Sequence, residues 1–119
     1  MTATETDYIY ESDDRADLIT GFDIGLAALS LPGVIDVDHM HTPECPDDGV
    51  IRRRDGERLI LTVETEATED DAWRAHGVSI GAQSADDDDP VEYDGMGLTP
   101  SFGILPVIDR IAAWANEEA

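Results

Sequence analysis

The sequence predicts a single α+β domain, 1–119, in which an antiparallel sheet packs with two to three helices. Three observations carry that expectation. Strand-like and helix-like segments alternate along the chain, a two-residue hairpin signal sits at its centre, and 41% of the 119 residues are hydrophobic and grouped in blocks. A chain of this length buries roughly two-thirds of the surface its unfolded form exposes, so one core can form without metal or disulfide staples. Cys45 is the single cysteine, so no intramolecular bridge is available and nothing argues for an oxidising compartment.

Along the chain, Asp7–Glu11 alternates weakly and reads as a first strand. Ser12 offers a helix N-cap, followed by Asp13 and Asp14 at the positive end of the dipole. Leu18, Phe22, Leu26 and Leu29 recur at helical spacing and predict one buried face on a helix over residues 13–30, weakened by Gly21 and Gly25. Pro32-Gly33 ends it, Val34, Ile35 and Val37 open a second strand, and the proline-bearing stretch His41–Gly49 reads as a loop. GVIRRR, Asp55-Gly56 and ERLILTVET then form the pattern of a hairpin with a type I′ turn, with Leu59, Leu61 and Val63 toward the core and Ile60 and Thr62 opposite. Thr68 before Glu69, Asp70 and Asp71 reads as the cap of a short helix that presents Trp73 and stops at Gly77. Val78–Ala82 reads as a strand, Asp86–Asp89 as an acidic loop, and Gly95–Gly103 as irregular. A final helix begins near Leu105, with Pro106 in its first turn and Ile104, Ile108, Ile111 and Ala115 as its buried stripe.

The helix followed by LPGVIDVDHM resembles, in pattern, the first helix and second strand of ferredoxin-like domains such as heavy-metal-associated and small-molecule regulatory modules. The resemblance implies a ferredoxin-like or related sandwich. It covers barely a quarter of the chain, and the paired cysteines of metal-chaperone domains are missing, so it assigns no site residue.

Charge is the strongest signal in the composition. The chain carries 28 Asp and Glu against 7 Arg, has no Lys, and has a formal net charge of −21. In dilute buffer that self-repulsion opposes the compact state. At molar salt the Debye length falls to about 3 Å and exposed carboxylates cease to repel across the surface. The composition therefore fits a concentrated-salt cell interior, that of an extreme halophile. The N-terminal residues lack the basic start and apolar stretch of a signal peptide, and Ile24–Ile35, the longest nearly apolar run, is too short for the ~20 residues of a membrane span. A cytoplasmic location is expected, and no membrane partner.

Two constellations can carry binding chemistry. His39, His41 and Cys45 place imidazole and thiolate groups, ligands for zinc or copper, around the end of the second strand; Glu44, Asp47 or His76 would complete the set, though the spacing is not that of a recognised zinc motif. Arg52, Arg53, Arg54 and Arg58 place four of the seven cations within seven residues. The type I′ hairpin sets Arg54 across from Glu57 and Arg53 near Arg58, with Arg52 and Arg54 on the opposite face from Arg53. Guanidinium groups so clustered suit a phosphate or carboxylate, an acidic subunit surface, or aspartates of the same chain. The negative surface and the salt sensitivity of phosphate neutralisation argue against nucleic acid as a partner.

Weaker patterns add little. Gly95-Met96-Gly97 lacks the lysine of a phosphate loop, Ser101 with His76 lacks any hydrolase spacing, and Asp86–Asp89 lacks the ligand order of a calcium loop. The sequence thus points to a small oligomeric binding or regulatory module rather than an enzyme, with an anionic ligand or a second subunit at the arginine hairpin. The alternative is a metal protein or enzyme built on His39, His41 and Cys45.

Overall fold

The computed structural model describes residues 9–39, 48–86, 91–98 and 103–117. Its strands are β1 (Glu11–Ser12), β2 (Val34–His39), β3 (Gly49–Arg53), β4 (Arg58–Ala67), β5 (Trp73–Gln83) and β6 (Val91–Gly97), and its helices are α1 (Gly21–Ala28) and α2 (Leu105–Ala115). The strands form one curled, half-barrel sheet in the order β1-β5-β4-β3-β2, with β6 also on β5. Every pairing is antiparallel, and β2 to β6 run as a continuous meander. β1 and β6 pair with different stretches of β5, at Trp73–Arg74 and at residues 77–82.

This architecture corrects the expected ferredoxin-like sandwich. The deciding segment is 68–83, where the predicted short helix is absent. Thr68 caps a turn instead: its Oγ1 accepts from the amides of Asp70 and Ala72, and its own amide donates to the Ala72 carbonyl at 2.8 Å. Asp71 adopts the left-handed conformation with φ 61°. The chain reverses there, and Trp73–Gln83 pairs along almost the whole of β4. Two long strands joined by a tight turn leave no room for the crossover helix that a ferredoxin-like fold needs. β6 likewise takes in Gly95-Met96-Gly97, which were expected to be irregular.

The predicted 13–30 helix is reduced to a single 3₁₀ turn, Arg15–Asp17, and the eight-residue α1. The cap is Thr20, not Ser12: Thr20 Oγ1 accepts from the Asp23 amide at 3.1 Å while Asp23 accepts from the Thr20 amide at 3.0 Å. Ser12 Oγ accepts from the Asp14 amide, a local turn contact. The buried face of α1 is also not the leucine stripe. Ile24, Ala28 and the two glycines are buried, whereas Leu26 and Leu29 remain 46% and 45% exposed. A Cβ on Gly21 would lie 1.9 Å from the Leu61 carbonyl oxygen, and one on Gly25 would lie 2.8 Å from Val37 Cγ1. The helix rests on the sheet through its glycines, Gly21 against the backbone of β3 and β4 and Gly25 against the Val37 side chain.

One core lies between the helices and one face of the sheet. Ile51, Leu59, Leu61, Val78 and Ile80 meet Ile24 and Ala28 of α1 and Val107, Ile111 and Trp114 of α2. Pro106 stands in the first turn of α2, as the sequence predicts. No helix among the described residues is long and apolar enough to cross a membrane.

Candidate functional site

The β3–β4 hairpin fixes where the arginines point. Arg53 donates its amide to the Glu57 carbonyl, and the Gly56 amide donates to the Arg53 carbonyl at 2.9 Å. Gly56 has φ 89°, while Asp55 is not left-handed. The loop is therefore a three-residue turn ending in a left-handed glycine, not the two-residue type I′ turn, which needs positive φ at both central positions. Pairing slips by one residue, so Arg52 stands opposite Arg58, and Arg53 faces the other side.

That slip divides the cluster. Arg53 turns to the helix side, where its side chain is only 12% exposed. Its Nε donates to Asp55, one terminal nitrogen donates to the Trp114 carbonyl at 2.6 Å, and the guanidinium lies 4.7 Å from the Trp114 ring centroid. Arg52, half-exposed on the opposite face, pairs with Asp36, and Arg58 beside it donates to the Ser84 carbonyl at 3.0 Å. The Arg53 side chain hydrogen-bonded to Asp55 holds that carboxyl below its ordinary range.

His39 ends β2 with its ring stacked on Phe22, centroids 3.7 Å apart. His41, Cys45, Glu44 and Asp47 lie outside the described residues, as does Ser101. His76 belongs to β5, three strands from β2, or roughly 14 Å at the usual strand spacing, too far to share a metal ion with His39. Among the described residues no group of three or more His, Cys, Asp or Glu side chains is placed to hold a metal.

The sheet face away from the helices carries a trough of about 660 Å³, a size common among ligand sites. Its construction follows from the pleat. Ile60, Thr62 and Glu64 alternate on one side of β4, opposite Gly81, Ser79 and Gly77 of β5, and Ser79 and Gly77 stand opposite Gly95 and Gly97 of β6. Glycines along β5 and β6 leave the backbone as floor, and Ile60 is 6% exposed although it lies on this open face. Gly95 and Gly97 have no positive φ, and a Cβ at either would make only ordinary contact. The Ser79 hydroxyl donates to Glu64 at 2.8 Å, and the Thr62 hydroxyl donates to Asp48 at 2.7 Å. Asp94 borders the trough, but its side chain stands with Ile80 on the helix side, where its carboxylate accepts from the Gly95 amide and from Arg110, which together hold it below the usual range. Arg110 lies over the Tyr93 ring, and Tyr93 donates to Glu117, so this group ties β6 to α2.

No protein-family model matches the chain, and no curated protein or solved structure does so either. The site therefore rests on its own geometry. Sequence reasoning placed the arginines but missed the trough, because its floor is made of residues without side chains. The available signal was the spacing of Gly77, Gly81, Gly95 and Gly97 in strand-like segments, where glycine weakens a strand and often marks close approach by a ligand or another backbone.

Proposed function

We propose that this chain is a small cytoplasmic binding module adapted to molar salt, and that its contact surface is the open face of the sheet. The observation that carries the reading is the division of labour between the two faces. One is covered by both helices; the other presents the trough, with Arg52 and Arg58 paired side by side at its hairpin end. These two guanidinium groups are the part of the cluster that suits a carboxylate or phosphate, or the acidic surface of a second copy. Arg53 is committed to the Trp114 carbonyl and ring.

The high-salt part of the reading is supported by charge spacing. Carboxylates at Glu69-Asp70-Asp71 and Asp13-Asp14 belong to successive exposed residues, whose Cα atoms lie about 3.8 Å apart. Such neighbours repel inside the ~8 Å Debye length of physiological salt and are screened only near 3 Å, at about 1 M.

The test is the double variant Arg52→Ala, Arg58→Ala in molar potassium chloride, followed by phosphate titration and sedimentation. Weaker phosphate binding or weaker self-association, with a melting temperature close to wild type, is expected. If both measurements match wild type, the hairpin arginines have no part in the contact surface.

A further inference from the structure

We propose that the trough takes an organic ammonium group, with the Glu64 carboxylate as its counter-ion. The inference rests on the reading of the open sheet face as the binding surface, and it concerns the opposite end of that face from Arg52 and Arg58. Glu64 stands six positions after Arg58 along β4, about 20 Å of extended chain.

The hydrogen bonds of the trough set the chemistry it accepts. Ser79 donates its hydroxyl proton to Glu64 Oε2 and Thr62 donates its own to Asp48, so both hydroxyls that face the trough present lone pairs to a ligand. The Ser79 contact also turns Glu64 across β5. Its Oε1 comes to lie over Gly77, 3.6 Å from the point a Cβ would occupy. The arginine ion pairs among the described residues go to Asp36, Asp55, Glu66, Asp94 and Glu117, none to Glu64.

The result is a site rich in acceptors beside the apolar side chain of Ile60 and the glycine floor of β5 and β6, while Val91 and Met96 stand with Ala82 and Val78 on the helix side. An ammonium has three donors and no acceptor, so it complements this arrangement, while a carboxylate or phosphate meets like charge and lone pairs. Potassium ion at molar concentration competes for Glu64 but makes no apolar contact. An alkyl chain on the ammonium supplies that contact, and each buried methylene adds about 0.8 kcal/mol.

The experiment titrates the full ¹⁵N-labelled chain in molar potassium chloride with n-butylammonium, butyrate and butanol, three probes of similar size and different charge. Saturable shifts of the Gly77, Ser79, Gly95 and Gly97 amides are expected with butylammonium, weakened at least tenfold by Glu64→Gln and abolished by Gly95→Val, which fills the trough. Butyrate or butanol binding at these amides as tightly as butylammonium keeps the trough as a binding surface and overturns the ammonium assignment. Unchanged butylammonium affinity in Glu64→Gln overturns it too. If none of the three probes gives saturable shifts there, the trough is no binding surface and both readings fall. Should Glu64→Gln not fold, the comparison of the three probes on wild type and Gly95→Val decides alone.

Discussion

Arg52 and Arg53 are adjacent in sequence, and the sheet sends them to opposite faces with opposite consequences. The half-exposed Arg52–Asp36 pair belongs to a class that contributes about 0–1 kcal/mol, less in molar salt. Arg53 is mostly buried, donates to the C-terminal end of α2, and lies over Trp114. A charge-assisted hydrogen bond of about 1.5–3 kcal/mol and a desolvated cation–π contact of up to about 2 kcal/mol both act at close range, where salt screens little. Arg53→Ala should therefore lower stability in molar salt by about 2–4 kcal/mol, and Arg52→Ala by less than about 1 kcal/mol, measured by denaturant unfolding. Equal effects would show that Arg53 is not a tie between hairpin and helix. Among the described residues three arginines lie over an aromatic ring: Arg15 on Trp73, Arg53 on Trp114 and Arg110 on Tyr93. A planar guanidinium stacks and forks where an ammonium does not, which gives a physical reason for cations retained as arginine in a chain without lysine. The arginine cluster was legible in the sequence. So was the alternation that sets Arg53 apart from Arg52 and Arg54, but the pairing of Arg58 with Arg52 rather than Arg53 was not, because one residue of register in the turn exchanges the faces of every side chain in the strand.

Elements went astray where glycine, not an apolar side chain, made the contact. The Leu18, Phe22, Leu26, Leu29 stripe is a sound helical period, yet α1 turns Leu26 and Leu29 outward because its glycines approach the sheet more closely than leucines can. Gly21 and Gly49 are reciprocal in this contact: a Cβ on Gly49 would lie 2.3 Å from the Gly21 carbonyl oxygen. Gly21→Ala sets two effects against each other. Alanine favours an α-helix over glycine by about 1 kcal/mol, while overpacking costs about 1–3 kcal/mol and more where the opposing atom is backbone. With a 1.9 Å approach to the Leu61 carbonyl, the clash should win, giving net destabilisation of at least about 1 kcal/mol in chemical denaturation. A neutral or stabilising result would mean that α1 does not sit on β3 and β4 as described. The final helix, β2, and the two strands of the hairpin were legible from propensity and alternation. Of β5 only Val78–Ala82 was legible; its first half was not, since Thr68 followed by three acids caps a turn as readily as a helix. The choice was made by ten residues of pairing with β4 that no local window contains.

At the scale of the whole molecule, none of the described acidic side chains is buried, so the acidic residues act on stability through the surface. Their effect is repulsive and long-ranged in dilute buffer, whereas the contacts that hold the fold are short-ranged: the glycine-seated helix, the stacked arginines and the apolar core. Salt should weaken the first and leave the second, and it also favours burial of apolar surface when the ions are excluded from protein. The open face carries its two charged ends, Arg52 with Arg58 and Glu64, within the same background, so binding there is to be measured only where the fold is intact. The proposed high-salt environment rests on composition, while the half-barrel depends on long-range pairing. The most direct test is thermal unfolding followed by circular dichroism as potassium chloride is lowered from the molar range to about 0.1 M, where the Debye length grows to about 10 Å. A cooperative transition in molar salt that falls steeply or disappears in dilute buffer, and returns when salt is restored, is the expected result. A cooperative transition at an unchanged melting temperature in about 0.1 M salt would contradict the account, because surface repulsion on a chain of net charge −21 would then have no hold on its stability.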